Sequence, residues 1–434
     1  KISKTYRVII LMKPNLVFYV DHKYRDLLVL SKIAYNLRKK NNIFFLSNLD
    51  FDLIGHFDYA VLLKPQLSDK ISEKINTKKL KTKIFVIPSE GMLQDDGVVN
   101  PSFLPYYWFH WSEYEKNKYN DLQKKHNLKM KSIGNPRLDF IYDQKLKQII
   151  LNYYPVTKNK RNIVTIASSL HECFHDEETL LKKKKRWSNQ YSKMLDYDLF
   201  VKNSHILLKI LTSAIKDLCD AHPDYVFILK PHPNEKTDYW INFKKEINKN
   251  NFELEFGTNI INFIHNSKLH IAMNACTTII EAKLSDVITV DLQTKNSSKL
   301  YHNDHLNIAD HHAYSKDDLL FIVNNLKNNK LIKKDIDNFY LHKYFDSNFL
   351  NISSQYAKEI QKNINVNDAK LVNYFIIKKI VYVNMFKNKL KSIILKIKNK
   401  MSFRALKKNI GKFDHRIEIN EHKKVFKLFK KYNV

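Results

Sequence analysis

Along most of the chain, short unbroken apolar runs alternate with longer stretches in which apolar residues recur every three or four positions. The first pattern is that of a strand buried on both faces of a parallel sheet; the second is one face of a helix. Read this way, Leu16–Val20, Asn42–Leu46, Tyr59–Leu63, Ile84–Ile87, Tyr107–Trp111 and Met130–Ile133 are strands. Leu27 to Lys39 is a helix, and Ser68 caps another running to Lys78. Ser112 caps a third, with Glu113 and Glu115 in its first turn, where the helix dipole favours negative charge. After the polar linker Tyr154–Arg161 the alternation restarts. Ile163–Ala167, Val226–Leu229, Ile260–Ile264, Leu269–Met273 and Val287–Leu292 read as strands, with Phe200–Ala221 a long amphipathic helix among them. Strands alternating with helices predict parallel βαβ units. The expected class is α/β: two Rossmann-like domains, residues 1–154 and 155–366, facing a cleft. Glu172–Tyr197, which carries Lys182–Arg186, is polar and reads as an exposed insertion.

The pattern changes near Asn367. From Tyr374 to Lys400, Phe375, Ile376, Ile380, Val383, Phe386, Leu390, Ile393, Ile394 and Ile397 form a greasy stripe flanked by lysines. Residues 367–434 are therefore expected to be a basic amphipathic helical tail. They hold 19 Lys or Arg against 4 Asp or Glu, half of the formal net charge of +30. Two readings stay open. One is a helix on an anionic membrane surface, where each basic residue contributes about 1 kcal/mol. The other is a helix docked on the core with a solvated lysine face.

A length of 434 residues allows two or three domains, and 44% apolar residues excludes wholesale disorder. Net charge implies an anionic partner: nucleotide, nucleic acid or acidic lipid. No RNA-binding signature or aromatic–basic patch supports nucleic acid, and none is expected. Three cysteines without paired spacing fit a reducing cytoplasm, and no apolar run is long enough to span a bilayer. The first residue is Lys rather than Met, which leaves room for an upstream leader or domain.

The chemistry concentrates where strands stop. Val226–Leu229 ends at Lys230-Pro231-His232-Pro233-Asn234-Glu235, and the two prolines let neither helix nor central strand continue. A cation, an imidazole, an amide and a carboxylate thus follow a strand's carboxyl end, where open α/β sheets bind ligands. Ser168 and Ser169 close another strand end, with His171 beyond them. Thr277 and Thr278 stand at a helix start, where free amides favour phosphate, and Glu281 lies one turn on, placed for ribose hydroxyls. The first half offers Arg25, Asp26, Lys64, Asn135, Arg137 and Glu90. A Glu90 carboxyl facing a dry cleft would be raised in pKa, which suits a general acid or base. Asp196-Tyr197-Asp198 spells a metal-binding Asp-x-Asp but lacks the apolar strand that motif requires, so no metal is expected. His302, His305, His311 and His312 are irregularly spaced and read as solvent-exposed.

Five of these elements occur in an order and spacing that resemble a known family. They are Asp21…Arg25-Asp26-Leu27, Pro88-Ser89-Glu90-Gly91, Gly134-Asn135-Pro136-Arg137-x-Asp139, Lys230-Pro231-His232-Pro233-x-Glu235 and Thr277-Thr278-x-x-Glu281-Ala282. Over about residues 15–345 the chain looks like the bacterial surface carbohydrate biosynthesis family. That family is similar to the retaining Kdo transferases of capsule and O-antigen assembly. The His-Pro and Glu-Gly elements are also similar to those of polysialyltransferases and CDP-glycerol polymerases.

The resemblance implies a GT-B glycosyltransferase with no obligatory cofactor and a nucleotide-sugar donor, CMP-linked in the nearest relatives. Its acceptor would be a glycan or glycolipid, and its place the cytoplasm, peripheral on the inner face of the inner membrane. By the same resemblance His232 and Lys230 hold the donor phosphate, Thr277, Thr278 and Glu281 bind the nucleotide, and Glu90 is the catalytic acid or base. Asn234, Glu235, Ser168 and Ser169 stand on the donor side; Arg25, Asp26, Lys64, Asn135 and Arg137 stand on the acceptor side. A retaining reaction through a covalent intermediate needs a second carboxylate, for which Asp196 and Asp198 are candidates. The family usually has Asn-Ser-Thr where this chain has Ala275-Cys276-Thr277-Thr278, and the lysine-rich insertion is unusual. A CDP-alcohol phosphotransferase is the alternative reading.

Overall fold

The computed structural model describes residues 13–64, 75, 81–89, 103–155, 162–190, 196–274, 276–301, 303–345, 350–366, 378–383 and 421–434. Glu90, most of the helix expected from Ser68 to Lys78 and most of the stripe from Tyr374 to Lys400 lie outside them.

Twelve strands form two six-stranded sheets among the described residues. The first contains Asn15–Val20 (β1), Asn42–Ser47 (β2), Tyr59–Lys64 (β3), Lys83–Pro88 (β4), Tyr107–His110 (β5) and Lys129–Ser132 (β6), in the order β2-β1-β3-β4-β5-β6. The second contains Ile163–Ala167 (β7), Val226–Lys230 (β8), Phe252–Leu254 (β9), Ser267–Met273 (β10), Ile288–Leu292 (β11) and His311–Ala313 (β12), in the order β12-β11-β10-β7-β8-β9. Every strand pair is parallel. Parallel strands need crossovers that cover both faces, and the inner strand β1 is accordingly apolar: Leu16 to Val20 are all 0% exposed. Strand order reverses once in each sheet, between β1 and β3 and between β7 and β10. Such a switch point opens a crevice at the strands' carboxyl ends.

Helices position the ends of these strands. Lys23–Leu37 (α1) starts right after β1, where His22 accepts a hydrogen bond from the Arg25 amide and Asp26 accepts one from the His22 amide. Gln144–Tyr153 (α2) closes the first half; Glu177–Gln190 (α3) and Tyr197–Ala221 (α4) separate β7 from β8. Thr237–Ile247 (α5) follows β8. Ile260–Ile264, expected as a strand, is instead a short helix (α6) capped by Asn259, with all five residues buried. A short apolar run buried all round does not distinguish the two states. Thr277–Leu284 (α7) follows β10. Strands β9 and β12 escaped notice because each has three residues at a sheet edge and is only partly buried. His305, expected in solvent, is 3% exposed and bonds Tyr340 Oη at 2.8 Å.

The chain then returns to the first half. Ile352–Lys362 (α8) lies against α1, with its first two amides donating to the Asp139 carboxylate at 2.8 and 2.7 Å. Tyr356 Oη donates to Gly134 O at 2.8 Å, and Glu359 accepts from Lys131 at 2.7 Å. This crossover precedes the change of composition at 367. Glu421–Lys431 (α9) also packs on α1: Val425 and Phe429 are 0% exposed, and His422 stacks on Phe45. Glu421 accepts from Lys23 at 2.7 Å and from Tyr153 Oη at 2.6 Å. Residues 421–434 are therefore docked on the core with their lysines outward. Among the described residues, no helix is long and apolar enough to cross a membrane.

Candidate functional site

The carboxyl ends of β7, β8 and β10 meet at the switch point of the second sheet. At the end of β8, Pro231 and Pro233 bracket His232, whose carbonyl accepts the Glu235 amide at 2.8 Å and closes the turn. His232 Nδ1 accepts the Asn234 amide at 3.2 Å, which leaves the ring proton on Nε2. Desolvation, then the nearby His171, Arg25, Lys230 and Lys183, push the His232 pKa down to about 3. Desolvation likewise lowers Lys230 to about 8, with Glu255 acting against it. Both residues are half-buried, as groups at the foot of a crevice are. Asn234 is exposed at its mouth.

Glu235 is turned inward and 7% exposed. It accepts from Ser168 Oγ at 2.8 Å, the Leu170 amide at 2.7 Å and Trp240 Nε1 at 2.7 Å. Burial pushes its pKa up; the three donors pull it back. Glu235 thus fixes the loop after β7, where Ser168 is buried and Ser169 half-buried.

That loop delivers a cluster the sequence reading missed. Glu172 is 2% exposed and accepts from Lys183 Nζ at 2.8 Å and Tyr197 Oη at 2.8 Å, with His171 Nε2 3.0 Å away. Burial alone would raise its pKa, but His171 and Lys183 hold it down at about 2. The His171 ring lies 5.1 Å from that of His232. The polar stretch 172–197 is therefore not all exposed insertion: Glu172 and Tyr197 are buried, and Lys183 reaches in from α3.

At the end of β10, Asn274 adopts φ 57° and turns the chain into α7, whose N-cap Cys276 supplies no side-chain hydrogen bond. Thr277 is half-buried in the first turn, and Thr278 bonds His270 Nε2 at 2.9 Å. His270 lies on β10 at 0% exposure and also bonds Thr165 at 2.8 Å through Nδ1. Desolvation lowers its pKa to about 3. An unfolded histidine titrates near 6.5, so His270 contributes stability that is complete above about pH 6.5 and is lost as pH falls towards 3. We expect urea midpoints to show the stability of wild type relative to His270→Gln dropping by about 1.4 kcal/mol per pH unit below 6.5. A difference independent of pH would contradict a neutral His270.

The first half reaches the same place. Arg137 is 6% exposed, and its guanidinium lies 2.5 Å from Glu281 Oε1 on α7. Burial raises the Glu281 pKa and Arg137 opposes it. Asn135 Oδ1 accepts the Arg137 amide at 3.0 Å and shapes the turn that presents Arg137. Arg25 forks onto Asp26, with Nε to Oδ1 at 2.5 Å, and its charge is felt at His232. Lys64 ends β3, and its side chain lies outside the described residues, as Glu90 does entirely. Asp196 caps α4 by accepting the Leu199 amide at 3.0 Å, and Asp198 pairs with Lys184 on α3; both are exposed.

The crevice therefore holds a neutral imidazole with an Nε2–H donor, a lysine, an arginine and an uncapped helix start. Such a set favours a phosphate.

No family model and no curated protein matches the sequence. Solved structures do. The wall teichoic acid polymerase TagF in one variant form has a TM-score of 0.53 at 10% identity, covering 84% of this chain and 91% of that one. A second TagF variant, soaked with CDPG, gives 0.52 at 11% identity, covering 82% and 90%. UDP-GlcNAc 2-epimerase from Neisseria meningitidis, bound to UDP-GlcNAc, gives 0.46 at 13% identity, covering 81% and 100%. Two parallel Rossmann-like sheets in this arrangement are the GT-B fold, and this chain has it.

Proposed function

We propose that the protein is a nucleotide-sugar-dependent glycosyltransferase. It moves a sugar, an ulosonic acid such as Kdo from a CMP-linked donor, onto a bacterial surface polysaccharide or lipid-linked glycan. The observation that carries this reading is the neutral His232, its Nδ1 occupied by the Asn234 amide and its Nε2–H left to donate. In this reading His232 and Lys230 hold the donor phosphate against the open start of α7, with Thr277 and Thr278 beside it. Glu281 exchanges its Arg137 partner for the ribose. Asn234 and Ser169 line the donor side, while Glu235 and Ser168 fix the loop. Arg25, Asp26, Lys64, Asn135 and Arg137 face the acceptor, Glu90 is the acid or base, and Asp196 or Asp198 supplies a nucleophile if configuration is retained. Residues 421–434 lie on the core with their lysines outward, and that basic face would meet anionic lipid.

A second reading is transfer of phosphorus from a CDP-alcohol. It is favoured by the likeness to TagF, whose soaked structure pairs this fold with CDPG. Donor turnover separates the two: CMP with a glycoside product supports sugar transfer, a phosphodiester product the alternative.

Thermal-shift screening against CMP, CDP, UDP and dTDP tests both. A nucleotide held at 100 times its dissociation constant stabilises by about 2.7 kcal/mol and raises the melting temperature. Cytidine nucleotides should give the largest rise; no rise with any nucleotide would remove the reading.

A further inference from the structure

We infer that His171 is the second imidazole of the phosphate site: its Nδ1 takes up a proton from solvent as the donor phosphate arrives. The phosphate is then held by one neutral ring, His232, and one charged ring, His171. This rests on the nucleotide-binding reading above and adds a residue to it.

The two rings lie side by side, with centroids 5.1 Å apart and planes 32° apart, but they are held differently. His232 Nδ1 accepts the Asn234 amide at 3.2 Å. A proton there would set N–H against N–H, and the amide belongs to a turn fixed by two prolines, so this ring stays neutral. His171 is held from its other nitrogen, with Nε2 3.0 Å from Glu172 Oε1. That carboxylate also accepts from Lys183 Nζ and Tyr197 Oη at 2.8 Å each, and its pKa of about 2 leaves it no proton to give. The proton between them is therefore on Nε2. Turning the ring over would put a carbon against the carboxylate, so its orientation is fixed as well. Nδ1 is left with its lone pair, closed off from solvent and without a hydrogen-bond partner. Buried polar atoms without partners are few in native proteins, and a ligand is one reason to keep them. Of the four nitrogens on the two rings, Nδ1 of His171 alone can accept a proton.

The charges that face this ring come from several elements. Glu172 and His175 share its loop, Lys183 comes from α3, Tyr197 from α4, and Lys230, His232 and Glu235 from the end of β8. Arg25 reaches the same corner from α1. Glu172 attracts a proton to the ring, while Lys183, Lys230 and Arg25 repel it. Glu235 already spends its oxygens on Ser168, Leu170 and Trp240. A docked phosphate adds the attraction that decides, and gives the new N–H the acceptor it lacks.

Calorimetric titration in buffers of different ionisation heat counts the protons bound together with a ligand. The ligands are the methyl esters of CMP and UMP, phosphodiesters with no proton of their own to lose near neutral pH, each beside its nucleoside. Wild type should take up a proton with the phosphodiesters over part of the range from about pH 6 to 9, and none with the nucleosides. His171→Gln should remove that uptake; it should weaken phosphodiester binding about tenfold at the acid end and less than about twofold at the alkaline end, where wild type has no proton there either. Glu172 keeps Lys183 and Tyr197 in this variant, so the fold should stand; His171→Asn is the second variant, and thermal unfolding checks both. Lys230, lowered to about 8 by burial, can add uptake of its own, but it is common to all the proteins and drops out of the comparison. Undiminished uptake in both variants, or an affinity loss equal at every pH, would overturn the role of His171 while leaving phosphate binding intact. If wild type binds neither phosphodiester better than its nucleoside, the phosphate site and this inference fall together.

Discussion

Replacing His232 with Ala is expected to lower donor turnover by at least about 100-fold, the usual loss when one preorganised donor to a developing charge is removed. The fold should hardly notice. The described hydrogen bond of the ring is one accepted from Asn234, two residues away in the same turn, and the turn itself is closed by the backbone bond from Glu235 to the His232 carbonyl. The prolines on either side keep the backbone in place whatever the side chain. Unfolding midpoints should therefore move by less than about 1 kcal/mol, as for most substitutions away from a core. A variant with near-normal turnover would mean that the phosphate does not dock on this imidazole.

The second large effect falls on stability. Asp310 is 0% exposed and accepts four hydrogen bonds: from Lys283 Nζ at 2.6 Å, and from the Thr289 amide, Thr289 Oγ1 and the Lys334 amide at 2.8 Å each. Lys283, 5% exposed, belongs to α7, so this pair fixes the far end of the helix whose first turn faces the crevice. Asp310→Ala leaves a buried ammonium without its carboxylate, and breaking such a pair costs about 3–5 kcal/mol. Urea denaturation should show that loss, and adding Lys283→Met should recover part of it by removing the stranded charge. A loss below about 1 kcal/mol for Asp310→Ala alone would show that water reaches the pair.

What the sequence discloses depends on whether a signal is local. The stop of β8 at two prolines needs no knowledge of the rest of the chain, and neither do the unbroken apolar run of β1 and the largely apolar runs of β7 and β10. The positions of His232, Thr277 and Thr278 followed from these. Ile260–Ile264 failed because four apolar residues around Asn262 are too few to carry a period, and Asn259 reads equally as a turn residue and a helix cap. Glu172 was hidden in a lysine-rich stretch, since its burial comes from Tyr197 and Lys183 packing back over it. His270 lies between Leu269 and Ile271 and reads as ordinary core; its two partners come from the neighbouring strand and the next helix. The pairing of Arg137 with Glu281 joins the two halves and has no signature in either. Asp139 resembles a loop carboxylate until α8 returns, more than two hundred residues later, to place two amides on it.

The account turns on where a phosphate sits, and a crystal structure with bound CMP or CDP decides it. A phosphate oxygen should lie about 3 Å from His232 Nε2 and face the amides of Thr277 and Thr278. A nucleotide bound in the first half, or with its phosphate beyond reach of His232, would contradict the assignment.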